Sequence, residues 1–186
     1  MPDFVLNRRV WVPRPRPEVF AFFADPRNLS ALSPPSAAFR WAVPPPETLS
    51  AGAVLDFTVR AFLARVRWRV MIREFDPPYR FVDAQVWGPF RRWEHFHRFV
   101  EGPERPAGPA APPTVAADGQ GSPAAPPAVA ADGQGPVGTW IDDRITYGLS
   151  LRAIGGLAHT LAVRRRIADL FAYRERRLRE LFAPPP

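Results

Sequence analysis

A chain of 186 residues, 46% of them hydrophobic, is long enough to bury a core, and its lack of cysteine excludes disulfides, thiolate metal sites and cysteine nucleophiles. The formal charge of +7 invites a nucleic-acid partner, yet all 25 residues of the Lys and Arg class are arginine, a bias that a GC-rich genome explains as readily. Most of these arginines alternate with apolar residues along strand and helix faces, so they read as solvated surface and a nucleic-acid partner is not expected.

Phe4 to Val12 reads as a first strand, closed by Pro13. The period then changes. Val19, Phe20, Phe22 and Phe23 share a broad helical face, Pro17 suits a first turn, and Asp25-Pro26 stops the helix. A second short helix is predicted over Asn28 to Leu32, before Pro34-Pro35. Phe39 to Val43 is a short strand candidate ending at Pro44 to Pro46. Val54 to Phe62 then places Leu55, Phe57, Val59 and Ala61 on one parity, with Asp56, Thr58 and Arg60 opposite. Ala64 to Phe75 continues with Val66, Trp68, Val70 and Ile72 against Arg65, Arg67, Arg69, Met71 and Arg73. This alternation predicts an antiparallel meander with one face buried and one wet.

Asp76-Pro77-Pro78 leads into FVDAQVWGPFRRWEHFHRF, a hairpin over Phe81 to Phe99 folded about Gly88-Pro89. One parity carries Phe81, Asp83, Gln85 and Trp87, then Trp93, His95, His97 and Phe99. A face that mixes aromatic rings with carboxylate, amide and imidazole groups is a poor lining for a dry core, and it suits the wall of a cavity.

From Gly102 to Val137 the composition collapses into Ala, Pro and Gly, and AAPPTVAADGQG at Ala110 to Gly121 recurs as AAPPAVAADGQG at Ala124 to Gly135. Residues 102–137 therefore read as a disordered insertion between two sheet strands. Order resumes with Thr139, Ile141, Asp143, Ile145 and Tyr147 on one strand parity. After Gly155-Gly156 a long helix is predicted to about Phe182, with Ile167, Leu170, Phe171, Arg174, Leu178 and Leu181 as its apolar stripe. No apolar run approaches the roughly 20 residues that span a bilayer, and MPDFVLNRRVWVP lacks the apolar segment of a signal peptide. The expectation is a cytoplasmic protein.

PRPEVFAFFADPRNLSALSPP, with P-x-E-V-F followed by D-P-x-N-L, resembles the helix region of the START-like or SRPBCC superfamily. WRVMIREFDPPYRFVDAQVWGPFRRWEHFHRF, GTWIDDRITYGL and LFAYRERRL are similar to a bacterial subgroup related to polyketide cyclase/dehydrase and lipid-transport domains. The resemblance covers nearly the whole chain except 102–137 and implies an α+β helix-grip fold in one domain, residues 1–186. In that fold two short helices follow the first strand, and a curved antiparallel sheet of six to seven strands wraps a long C-terminal helix. It also implies a cavity between sheet and helix that takes a lipid, polyketide, quinone or similar molecule. Because fold does not fix chemistry, no catalytic residue transfers by motif.

Within that framework Asp83, Gln85, His95, His97 and Asp143 share the inward parity of their strands and can converge. They can orient a ligand's hydroxyl or carbonyl, pass protons through His95 or His97, or satisfy one another as a buried network that fixes strand register. Phe57, Trp68, Trp87, Trp93 and Tyr147 serve either as aromatic walls or as ordinary packing, and Phe81 and Phe171 join the ligand set from the hairpin and the helix. Arg174, an arginine on the helix's sheet-facing stripe, needs Asp83, Asp143 or an anionic ligand as its partner, unless it snorkels to the rim. His-x-His beside a carboxylate also suits zinc or iron. A third committed ligand is not evident, since His159 lies in the approach to the long helix, so neither a metal nor a cofactor is expected. Nucleophile elbows, phosphate loops and dinucleotide fingerprints are absent, which favours a binding or carrier module over the alternative, a cyclase or aromatase-like enzyme using His95 or His97 as acid or base.

Overall fold

The computed structural model describes residues 3–61, 64–104, 137–149 and 156–184. The Ala/Pro/Gly-rich insertion predicted for 102–137 lies outside them apart from its ends, as does the Gly155 that precedes the long helix.

β1 (Phe4–Val12) hands the chain to α1 (Arg16–Ala24), which carries proline in its first turn and buries Val19, Phe20, Phe23 and Ala24. Asp25 ends α1 and its carboxylate accepts from the Arg27 N–H at 3.0 Å, so a 3₁₀ turn begins at once over Pro26–Leu29. The helix expected over Asn28 to Leu32 is thus earlier and shorter, and a second 3₁₀ turn forms at Pro35–Ala37. β2 shrinks to Arg40–Trp41, short of the predicted Phe39 to Val43. The Pro44 to Pro46 run supplies no N–H donors with which a ladder could continue.

β3 (Val54–Ala61), β4 (Ala64–Asp76), β5 (Arg80–Trp87), β6 (Phe90–Pro103) and β7 (Val137–Leu149) complete a seven-stranded antiparallel sheet in the order β1-β7-β6-β5-β4-β3-β2. The inward parities are those read from the alternation: Val70 and Ile72 on β4, Trp93, His95, His97 and Phe99 on β6, and Ile141, Asp143, Ile145 and Tyr147 on β7 are all buried. A fully buried ring such as Phe99 is worth about 2–3 kcal/mol of burial, so a one-residue slip that turned this face outward would forfeit several such terms at once.

α2 (Gly156–Leu181) closes the concave side. Among its described side chains, Val163, Ile167, Phe171, Arg174 and Leu178 are the buried positions, at steps of four, four, three and four. The stripe ends on Phe182 and not on Leu181, which is 41% exposed. Phe182 meets Phe22 of α1 edge to face, ring centroids 5.2 Å apart, and that contact draws the last turn inward. Two apolar clusters result. One joins Val12, Val19, Phe20, Phe23, Phe81, Phe99 and Leu178 near α1; the other joins Trp93, Ile145, Tyr147, Leu149, Val163, Ile167 and Phe171 under α2.

Among the described residues one charged side chain breaks the in–out rule. Asp56, on the outward parity of β3, is 2% exposed. Arg67 donates to it through Nε at 2.8 Å and Nη2 at 2.7 Å, and Arg69 through Nε at 2.9 Å and Nη2 at 2.6 Å. The two cross-strand guanidiniums cover the carboxylate and hydrogen-bond it into an ionised state.

Candidate functional site

Strand register assembles the site. Asp83 on β5 lies opposite His95 on β6, and His97 lies opposite Asp143 on β7. All four project to the concave face, on the seam between the two apolar clusters: along β6 the inward residues run Trp93, His95, His97, Phe99, from one cluster to the other. His97 Nε2 is 3.0 Å from Asp83 Oδ2, and His97 Nδ1 is 3.0 Å from Asp143 Oδ1. His95 Nε2 is 3.0 Å from Asp143 Oδ1, and its Nδ1 is 3.6 Å from Asp83 Oδ2. The imidazole centroids are 3.7 Å apart. The His97 ring also stacks on Phe81 at 4.0 Å, and Phe171 meets His95 edge-on at 5.2 Å. Arg174 enters from α2, its Nε 3.9 Å from Asp143 Oδ2 and its Nη2 3.5 Å from His97 Nδ1.

The electrostatics follow from this packing. Burial pushes the Asp143 carboxyl up, but Arg174, His95 and hydrogen bonds from both histidines outweigh it and hold the group well below the usual carboxylate range. Asp83 is likewise lowered, burial being overcome by the His97 hydrogen bond and by its neighbours His95, His97 and Arg174. His95 goes the other way: burial and the neighbouring His97 depress it to about 4 against the pull of Asp143 and Asp83. Near neutral pH the cluster thus presents two carboxylates, a guanidinium and a neutral His95.

This cluster forms the polar end of a cavity of about 140 Å³ between the sheet and α2. Of the residues expected at a ligand site, Phe57, Trp68, Phe81, Asp83, Trp93, His95, His97, Phe171 and Arg174 line it. Asp143 stands behind the histidines and does not reach the cavity wall. Gln85 is used within the hairpin, donating to the Phe90 carbonyl at 2.6 Å and accepting from the Phe90 N–H at 3.3 Å. Tyr147 packs in the second apolar cluster, against Phe4 at 5.5 Å and Trp93 at 6.3 Å. Trp87 is 57% exposed, because the β4–β5 register shifts between Arg69 and Val70 and pairs Trp87 with outward Arg69. The predicted Asp143 partner of Arg174 is present; Asp83 is the more distant carboxylate.

Sequence reading missed a further wall from α1 and the irregular chain after it, where Phe22, Leu29, Leu32, Phe39 and Leu49 line the cavity together with the polar Asp25, Asn28 and Ser33. The aromatic face of α1 was a signal for part of this, but it reads equally as core. Trp68 keeps its buried indole N–H without a hydrogen-bond partner among the described residues. Asp83, His95 and His97 each offer a ligand atom, and these three atoms lie within 4.8 Å of one another.

No protein-family model matches the chain, and no curated protein matches it. Solved structures do. TTHA0849 from Thermus thermophilus superposes with a TM-score of 0.56 at 19% identity, over 95% of this chain and 97% of that one. Ginseng major latex-like protein 151 from Panax ginseng gives a TM-score of 0.55 at 10% identity over 98% and 99%. Ara h 8.0201 gives 0.50 at 13% identity over 95% and 98%. The fold is a helix grip. These identities carry architecture and no chemistry. What the helix grip does physically is hold α2 across the curved sheet so that inward positions of β3 to β6 face a space they cannot fill. Among the described residues no helix is long and apolar enough to cross a membrane.

Proposed function

We propose that this helix-grip chain binds a small apolar molecule in the cavity between its sheet and α2, with the Asp83/His95/His97 cluster orienting one polar group of that molecule. The observation that carries the reading is an apolar cavity with buried ionisable groups gathered at one end. At about 140 Å³ the space is close to that of an apolar cavity of about 150 Å³ that admits benzene. A single ring bearing a carbonyl, hydroxyl or carboxylate fits this size; a whole lipid or polyketide needs α2 or the α1 wall to move outward. Carrier or sequestering use follows from binding alone.

The alternative is acid–base chemistry of the cyclase or dehydratase type on an enolisable substrate. It is favoured by one detail: His97 and Asp83 both line the cavity and are 3.0 Å apart, as a histidine and the carboxylate that orients it must be. The experiment is ligand-observed NMR with phenol, benzoate, cyclohexanone and benzene on the wild type and Val70→Phe, which places a ring inside the cavity. Wild-type binding that is lost in a folded Val70→Phe supports the reading. Equal binding by both proteins, or none by the wild type, refutes it.

A further inference from the structure

The cavity's polar end has the construction of a metal site. Asp83 Oδ2 is 3.0 Å from His97 Nε2 and 3.6 Å from His95 Nδ1. A first-row divalent ion with bonds of about 2.0–2.1 Å sets neighbouring ligand atoms roughly 3.0 Å apart on an octahedral face and roughly 3.4 Å apart in a tetrahedron. The two spacings from Asp83 lie near those values, and all three ligand atoms are within 4.8 Å of one another, so the two imidazoles need only close on the ion. Two imidazoles and one carboxylate on one face, with the remaining positions turned to a cavity, is the donor set of an open site.

The independent observation lies on the other side of the rings. His95 Nε2 and His97 Nδ1 both meet the same oxygen, Asp143 Oδ1, at 3.0 Å. With a metal on the cavity-facing nitrogens, Asp143 is placed to accept the distal N–H of each ligand histidine, the outer-shell arrangement that orients such rings. Asp143 is in turn balanced by Arg174 Nε at 3.9 Å and withdrawn from the cavity. Cross-strand register builds the whole arrangement from β5, β6 and β7, which gives it a rigid base.

We propose that Asp83, His95 and His97 bind a divalent first-row cation, zinc or iron(II), through Asp83 Oδ2, His95 Nδ1 and His97 Nε2, with Asp143 as the positioning carboxylate. The bound ion carries two positive charges against one from Asp83, so its open positions face the apolar cavity as an electrophile for a ligand oxygen. This site needs no organic ligand, and its test is separate from that of the cavity.

The test uses the full chain without a polyhistidine tag, stripped by chelator and titrated with zinc chloride and with cobalt(II) chloride. Calorimetry is expected to show one equivalent, and cobalt to give visible d–d bands of a four- or five-coordinate site. Asp83→Asn and His97→Gln are expected to weaken zinc binding at least 100-fold, and Asp143→Asn 10- to 100-fold. The chain has three histidines, so His159→Ala must leave affinity unchanged. In ¹⁵N-histidine NMR of the wild type, zinc must shift the ring nitrogens of two histidines, a readout that survives if a variant fails to fold. A folded wild type that takes up no stoichiometric zinc or cobalt at millimolar concentration overturns the proposal. So does unchanged affinity in folded Asp83→Asn and His97→Gln.

Discussion

Replacing Arg174 by methionine probes the electrostatic balance at the seam between the two apolar clusters. Arg174 is buried, its guanidinium lying 3.9 Å from Asp143 Oδ2, 5.1 Å from the Phe23 ring centre and 5.8 Å from that of Phe171. Removing one member of a buried ion pair costs about 3–5 kcal/mol, because the charge left behind stays desolvated. Two features reduce that figure. Asp143 keeps both histidine nitrogens at 3.0 Å, and methionine retains the stem's packing while ending the burial of a guanidinium whose Nε has no hydrogen-bond partner among the described residues. The expected loss is therefore about 2–3 kcal/mol, at and just below the bottom of the buried-pair range. For a chain of this length that is a fall of roughly 4–12 °C in Tm. Urea unfolding followed by circular dichroism gives the value directly, as a drop in the midpoint with an unchanged m. A loss below about 1 kcal/mol would refute the reasoning, showing that the histidines alone compensate Asp143.

Asp56→Asn removes the carboxylate under Arg67 and Arg69. The Arg67 hydrogen bond, with that of Arg69 and both charges, holds Asp56 at about 2 against its burial, below its ordinary 3.8. A depressed carboxyl contributes stability that is whole above about pH 4 and is lost as the pH falls through about 2, so wild type and variant should differ at pH 7 and converge in acid. Both arginines are about half exposed, which discounts the difference at neutral pH to about 1 kcal/mol. A gap that persists at pH 2 in urea unfolding contradicts this account. Phe182→Ala should cost about 3 kcal/mol or more and Leu181→Ala less than about 0.5 kcal/mol, and the reverse order in thermal unfolding would show that the last turn of α2 faces the other way.

Alternation and helical period are local, so the sequence alone was enough to read an antiparallel meander, the long closing helix and the shared parity of Asp83, His95, His97 and Asp143. Six to seven strands wrapped around that helix were what the resemblance implied, and the structure has seven. Phe182, Trp87 and Asp56 were not legible. Their faces depend on α1 meeting the end of α2, on a register shift between β4 and β5, and on arginines from a neighbouring strand, and none of these is encoded within the residue's own segment. The site divides the same way. That two histidines and two carboxylates share a face is a matter of period two; that His97 sits opposite Asp143 and diagonal to Asp83, that both imidazoles meet one oxygen, and that the space above them holds about a single ring are matters of register and of how closely α2 approaches the sheet. Periodicity is a property of one strand, whereas distance between groups on different strands exists only once the sheet has closed around its helix.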